Sequence, residues 1–258
     1  FKLSKVCICD NMYKNKKIAI TIPAYHEEAF IGKTLEGIPS FVDKVFVIDD
    51  GSKDKTSEVV LEKQKNDNRI VLIKHKKNKG VGGAIITGFK NAIKDGMDIV
   101  AVMAGDNQMD PEYLDDLLDP IIEGKADFTK GNRLKKGYWK GMSTFRLIGN
   151  FILSLITKIV SGYWKISDPQ NGYVAISCNK LEKLDLDKIR QGYEFENDLM
   201  VHANIHRLKM QNVDIPARYG EEKSYIKYLR FIFKTSIFFI KAFFYRIFTK
   251  YIKSSKLK

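Results

Sequence analysis

The sequence is poor in cysteine and proline and has no long uninterrupted apolar run, and each shortage excludes a class of protein. Its three cysteines, Cys7, Cys9 and Cys178, form an odd, sparse set without recurring metal-ligand spacing. They exclude a disulfide framework and fit a reduced, cytosolic compartment. With six prolines in 258 residues, nothing reads as a long low-complexity linker. A transmembrane helix needs roughly 18 consecutive apolar residues. Arg146, Lys158 and Lys165 interrupt the stretch around Phe151, and Lys234 and Lys241 interrupt the tail, so no bilayer-spanning segment is expected. Lys2 and Lys5 lead into Cys7, Cys9 and Asp10 rather than into the apolar core of a signal peptide.

Acidic residues are missing from one region only. The chain carries a formal charge of +13, and from Lys223 to Lys258 it has ten Lys/Arg and no Asp/Glu, which leaves +3 for the other 222 residues. Eleven Phe and Tyr are interleaved with these cations. At helical spacing Lys227, Arg230, Lys234 and Lys241 share one face, whereas Arg246, Lys250 and Lys253 share another. Two amphipathic helices with a bend near Ala242 satisfy both clusters. Such a composition suits helices lying in a lipid headgroup layer, with their rings immersed and their cations meeting anionic lipid. Nucleic-acid binding by stacked aromatics ranks below this, because Ile and Phe dominate the segment. For Tyr225 to Thr235 the competing reading is a helix packed on the core with a polar outer face.

Upstream, short β-branched runs alternate with helical periodicity. IAITI (18–22), KVFVID (44–49), RIVLIK (69–74) and DIVAVM (98–103) each precede a helix, and ADFTK (126–130) precedes the apolar helix TFRLIGNFILSLITKIV (144–160). The pattern predicts an α/β fold, a mostly parallel sheet flanked by helices on both faces. At 29.6 kDa one undivided domain is expected, with an N-terminal extension over 1–17, the main domain over 18–224 and the basic aromatic helices over 225–258. Ligands of open α/β sheets bind outside the carboxyl ends of the strands, which makes the strand ends the residues to read.

The first strand ends in Pro23-Ala24-Tyr25-His26-Glu27-Glu28, where Pro23 is expected to stop the pairing and the two glutamates to open a helix. The second ends in Asp49-Asp50-Gly51-Ser52-Lys53-Asp54. Asp54 or Thr56 is explained as a helix cap, while Asp50 is placed to accept hydrogen bonds from a ligand. After the third strand, Lys79-Gly80-Val81-Gly82-Gly83 opens a helix whose N-terminus suits a diphosphate, a weakly specific signal. The fourth ends in Ala104-Gly105-Asp106-Asn107-Gln108-Met109-Asp110-Pro111. Asp110 and Pro111 are a cap and a first helical residue, but Asp106 has no structural excuse, and with the Gln108 amide it offers hard oxygen ligands to Mg²⁺ or Mn²⁺.

Together IPAYHEE, VIDDGSKDKT, NKGVGGA, AGDNQMDP, GNR and SDPQNGY, in that order from about Ile18 to Ser224, resemble the family 2 glycosyltransferases of GT-A fold, most closely their polyprenyl-phosphate branch. Each motif is weak singly, and six in one order are strong. The resemblance implies that Pro23, Ala24, Tyr25, Glu27, Ile48 and Asp50 hold the nucleoside of a GDP- or UDP-sugar. It also implies that Lys79, Gly80, Ala104 and Gly105 line the donor site and that Asp106 with Gln108 binds the metal. Ala104 stands where relatives often have the first Asp of an Asp-x-Asp pair. By the same resemblance Arg133 and Arg146 grip the acceptor phosphate, Asp168 orients the sugar or acts as base, and Arg218 or Lys223 closes over the diphosphate. The implied reaction is inverting transfer of a sugar, GDP-mannose favoured, to a polyprenyl (dolichyl) phosphate by a peripheral protein on the cytoplasmic face of a membrane. The alternatives are transfer to a glycan hydroxyl, with Asp168 or Glu194 as base, and a membrane-bound nucleotide-sugar binding protein without turnover.

Overall fold

A computed structural model describes residues 12–135, 138, 144–216 and 228–253, the side chains of 144–146, 228–234 and 253 excepted. The N-terminal extension through residue 11, Lys136, Lys140, Arg218 and Lys223 therefore lie outside the described residues.

β1 (Ile18–Ala24), β2 (Lys44–Asp49), β3 (Ile70–Lys74), β4 (Ile99–Val102), β5 (Phe128–Asn132), β6 (Val174–Ser177) and β7 (Met210–Asp214) form one sheet in the order β3-β2-β1-β4-β6-β5-β7. β1 pairs parallel with β2 and β4, β2 with β3, and β5 with β7, and only β6 runs antiparallel to its neighbours. The mostly parallel sheet expected from the β-branched runs is present. Six strands consequently end on one edge, and the loops leaving them meet there.

Period-two alternation decides which core each side chain enters. Ile18, Ile20 and Ile22 of β1 pack on one face with α1 (Ile31–Glu36), α2 (Thr56–Gln64) and α4 (Leu114–Ile122). Ala19 joins the other face, covered by α3 (Val81–Lys94), α6 (Cys178–Leu181) and α7 (Phe195–Ile205). That second face of β1 is small so that α3 can approach it closely. A Cβ on Gly88 of α3 would lie 1.7 Å from Thr21 Oγ1.

Three local expectations are corrected. Pro23 does not end the pairing: β1 continues through Pro23 opposite Ile48 to Ala24 opposite Asp49. Thr21 accepts from Met103 N, so the odd-numbered backbone groups of β1 point toward β4, and at Pro23 that side has passed the last β4 partner. No ladder bond is lost to the ring. Glu27 and Glu28 lie in a turn, and α1 begins only at Ile31. The tail does not bend near Ala242: α8 (Tyr228–Ile247) runs through it and passes into a π-helical stretch over 248–253.

Ala242 is buried with Phe238 and Phe239 of α8 against Val160 of α5 (Thr144–Ser161) and Val201 of α7, a third core that docks the tail on the domain. Arg246, expected on a lipid-facing cluster, is 6% exposed. Its guanidinium donates to the carbonyls of Val160 and Ile159 at 2.7 and 3.2 Å and so caps the C-terminus of α5, where Gly162 has a φ of 77°.

Gly88→Ala gains roughly 1 kcal/mol of helix propensity and is nonetheless expected to lose about 2 kcal/mol net by forcing α3 off β1. Urea unfolding measures this, and an unchanged midpoint would mean that α3 does not need that approach.

Candidate functional site

The loops after β1 and β2 are bound to each other by side chains. Ser52 Oγ accepts from His26 N at 3.1 Å, Thr56 Oγ1 from Glu27 N at 2.9 Å, Asp54 from Glu28 N at 3.3 Å, and Glu28 from Lys55 N at 2.9 Å. Asp54 Oδ1 also takes the Thr56 N–H, but the expected cap is corrected: Lys55 stands at the N-cap of α2, with Asp54 one residue before it and Thr56 the first helical residue. Asp49 is buried and accepts from Ser52 N and Ser57 Oγ. Burial alone would raise its pKa, but these hydrogen bonds outweigh burial and hold the carboxyl below its usual range.

Asp50, expected to meet a ligand, spends its carboxylate internally. It is 3% exposed, accepts from Lys79 N at 2.9 Å and Gly80 N at 2.8 Å, and pairs with His75 Nδ1 at 2.6 Å. His75 Nε2 in turn meets Thr87 Oγ1 of α3 at 2.9 Å. Asp50 thus ties the end of β2 to the turn that opens α3.

The expectation that this helix N-terminus receives a diphosphate is corrected by the same turn. The N–H groups of Gly82 and Gly83 donate to the Gln191 carbonyl at 3.0 and 3.3 Å. A Cβ on Gly80 would meet that carbonyl at 2.6 Å, and one on Gly82 would meet Phe195 at 2.6 Å. The glycines let the protein's own 191–195 segment approach. Lys79 contributes an exposed side chain beside this packed turn.

The residues expected around the nucleoside separate by exposure. Ile48 and Ala24 are buried in the two cores and Pro23 is half-buried, whereas Tyr25 is 46% exposed, with its ring 4.2 Å from that of His26. At the end of β4, Gly105 is pressed against Glu27 and Pro23, and its carbonyl accepts from Thr34 Oγ1 of α1 at 3.1 Å. The chain then reverses at Asn107, which has a φ of 60°, and Asp106 Oδ1 accepts from Gln108 N at 3.0 Å. Ala104 N is held by Met109 Sδ, and Asp110 caps a short 3-10 turn at Pro111–Tyr113 through Glu112 N. Asp106 and Gln108 are half-buried on the carboxyl edge of the sheet. The described residues contain no cluster of three His, Cys, Asp or Glu that could enclose a metal. Two hard oxygen donors at a strand end fit a Mg²⁺ or Mn²⁺ ion that takes its remaining ligands from a diphosphate and water.

At the end of β5, Arg133 lies against Asp168. Arg133 Nε donates to Oδ2 at 2.7 Å and Nη2 to Oδ1 at 3.2 Å, and the Arg133 backbone N–H adds a third bond at 3.2 Å. Asp168 is 1% exposed, so this buried carboxylate holds the guanidinium in a two-pronged grip. The geometry makes Asp168 a positioning group for Arg133 and leaves it poorly placed to serve as a base. Arg146 sits in the first turn of α5, and its side chain is outside the described set.

Sequence reasoning missed two buried groups. Lys130 of β5 is fully buried, and its Nζ donates to the Asn171 carbonyl and to Glu196 at 2.6 Å. His75 is the other. In both cases the signal is a nitrogen-bearing side chain at the end of an otherwise β-forming run. Glu196 is therefore an ion-pair partner, while Glu194 stands at the N-cap of α7.

A double-mutant cycle on Arg133→Ala and Asp168→Ala, read by urea unfolding, is expected to give a coupling of about 2 kcal/mol. No coupling would show that the pair does not organise the loop. Because the folded pKa of Asp49 is depressed, its stabilisation is fully present above the ordinary aspartate pKa of ~3.9. The stability gap between the protein and its Asp49→Asn variant should stay constant from pH 7 to 5 and close as the pH falls through the depressed value. A gap that is unchanged at pH 3 would contradict this.

The family model described as Glycosyl transferase family 2 matches residues 19–185. The chain is 33% identical over 221 residues to a UDP-N-acetylglucosamine–dolichyl-phosphate N-acetylglucosaminyltransferase of Methanococcus voltae, covering 80% of this chain and 88% of that protein. It is 28% identical to an undecaprenyl-phosphate mannosyltransferase of Micrococcus luteus, covering 80% and 85%. Among solved structures, glucosyl-3-phosphoglycerate synthase from Mycobacterium tuberculosis in complex with Mn²⁺, UDP-glucose and phosphoglyceric acid superposes with a TM-score of 0.66 at 19% identity, covering 90% and 80%. That likeness establishes the GT-A fold. The family match and the Methanococcus relative go further: this chain belongs to glycosyl transferase family 2.

Proposed function

We propose that the protein transfers a sugar from a nucleotide-sugar donor to a polyprenyl phosphate, with inversion, at a membrane surface. The observation that carries this reading is a guanidinium, Arg133, gripped by the buried Asp168 on the same sheet edge as Asp106. A fixed guanidinium suits a phosphate acceptor, which is already ionised near neutral pH and needs no strong base. Transfer to a glycan hydroxyl does need one. Asp168 is committed to Arg133, which disfavours it as the base of that alternative and leaves Glu194, at the start of α7, as the base it would need.

In this reading Tyr25 and Glu27 border the nucleoside, and Arg133 aligns the acceptor oxygen with the anomeric carbon. Placement and charge stabilisation then supply most of the rate. Asp106 and Gln108 would hold a Mg²⁺ or Mn²⁺ ion, which when bound would supply positive charge to the departing nucleoside diphosphate. Arg146, Arg218 and Lys223 are proposed as further phosphate contacts. The Methanococcus relative, at 33% identity, makes UDP-N-acetylglucosamine the first donor to test, ahead of GDP-mannose.

The membrane part of the proposal is supported by two helices. Ile148, Ile152, Leu155 and Ile159 recur on one side of α5 and are 44 to 56% exposed, and Ile237, Ile240 and Phe244 line the outer side of α8. No described helix is long and apolar enough to cross a bilayer, so these faces are proposed to lie in its interface.

Incubation with a short-chain polyprenyl phosphate in detergent, Mg²⁺ and labelled UDP- and GDP-sugars should yield a lipid-linked sugar with one donor. Arg133→Lys is expected to lower kcat/KM about a hundredfold, mainly through the acceptor, because a lysine cannot reproduce the two-pronged geometry. The absence of lipid product with every donor would overturn the proposal.

A further inference from the structure

Between α7 and α8 lies a cavity of about 320 Å³ whose walls share no residue with the surroundings of Asp106 or Arg133. Its polar lining is Lys188, Arg190, Asp198, His202, Lys241 and Tyr245. The charges within it are not balanced one for one. Lys188 is paired with Asp185 at 2.5 Å. Arg190 lies with its guanidinium 5.2 Å from the centre of the Phe238 ring, and neither Arg190 nor Lys241 has a carboxylate within 4.0 Å among the described residues. Asp198 is 7% exposed, and its Oδ2 accepts the Arg190 backbone N–H at 2.8 Å, which keeps the carboxylate in the wall. Three cations, Lys188, Arg190 and Lys241, face one carboxylate, Asp198, in this lining, which leaves an excess of positive charge for a compact anion.

The position of the cavity on α8 indicates which anion. Thr235, Phe238, Phe239, Ala242 and Arg246 form the buried side of that helix, while Ile237, Ile240 and Phe244 form its exposed apolar side. At 3.6 residues per turn, Lys241 and Tyr245 fall in the strip between the two. With the apolar side immersed in the outer acyl region, that strip stands at the level of lipid phosphates.

We infer that this cavity seats the phosphate of an anionic lipid headgroup, held by Arg190 and Lys241, and so fixes how the enzyme sits on the bilayer. The inference rests on the membrane-surface part of the proposed function, but not on the identity of the donor or acceptor.

The test is binding of the full chain to phosphatidylcholine vesicles with and without 30 mol% phosphatidylglycerol. The pair Arg190→Gln/Lys241→Gln is compared with an equal loss of charge at Lys65→Gln/Lys94→Gln, at the C-terminal ends of α2 and α3. The cavity pair should lose at least about tenfold in affinity for the anionic vesicles, and the control pair less than about threefold. Equal losses, or no preference of the unaltered protein for anionic vesicles, would overturn the inference. Inorganic phosphate distinguishes the source: if millimolar phosphate raises the Tm of the unaltered protein but not of the cavity pair while vesicle binding is the same for both, the site takes a soluble anion and the lipid assignment fails. Transfer to the short-chain acceptor in detergent should be unchanged in the cavity pair, which separates failure of this inference from failure of the transfer reaction.

Discussion

A carboxylate removed from water must be given hydrogen-bond donors, and this protein meets that demand with the backbone and side chains of its own strand-end loops. Asp49 holds Ser52 and Ser57, Asp50 holds Lys79, Gly80 and His75, and Asp168 holds Arg133. The bonds of Asp50 and Asp168 join the end of one strand to segments 25 to 35 residues away, and those of Asp49 close the turn that follows its own strand. The parallel sheet gathers these ends on one edge, and the buried carboxylates fix the loops relative to one another. A site built this way loses little conformational freedom when a ligand arrives, because its loops are ordered beforehand.

The same constraint separates residues that build the edge from residues available to a ligand. Asp50 and the glycines at the start of α3 belong to the first group, because their partners are internal. Tyr25, the Asp106–Gln108 turn and the guanidinium of Arg133 belong to the second, since they are at least partly open on the edge where donor and acceptor are proposed to meet. The tail is joined to this arrangement rather than appended to it. Arg246 of α8 satisfies the last carbonyls of α5, and α5 begins eleven residues after Arg133. The two helices that present apolar faces outward are thereby tied to each other and to the element that leaves the site.

Much of this was legible in the amino-acid order, and the parts that were not have a common cause. The β-branched runs and the helices between them define the parallel sheet, and the motif order points to the family, because both depend on local periodicity and on residues adjacent in sequence. What the sequence concealed depends on contacts across long separations. Lys130 and Glu196 lie 66 residues apart, and Gln191 reaches a helix that begins at Val81. A glycine turn before a helix has the same sequence signature whether a diphosphate or a carbonyl of the protein approaches it. Likewise, Arg246 had the spacing of a lipid-facing cation until the C-terminus of α5 was found beside it. The motif offered Asp168 either as an orienting group for the sugar or as a base, and its bonds to Arg133, 35 residues away in sequence, were not readable from it.

Asp106, at the carboxyl end of β4, is proposed to support a divalent cation whose remaining ligands come from a nucleoside diphosphate. Calorimetric titration of UDP and GDP into the protein, with Mg²⁺ or Mn²⁺ and then with chelator, tests it most directly. One nucleotide should bind, at least tenfold more weakly without the cation, and an Asp106→Asn variant should bind equally weakly under both conditions. Binding of undiminished strength in chelator, or in Asp106→Asn with the cation present, would contradict it.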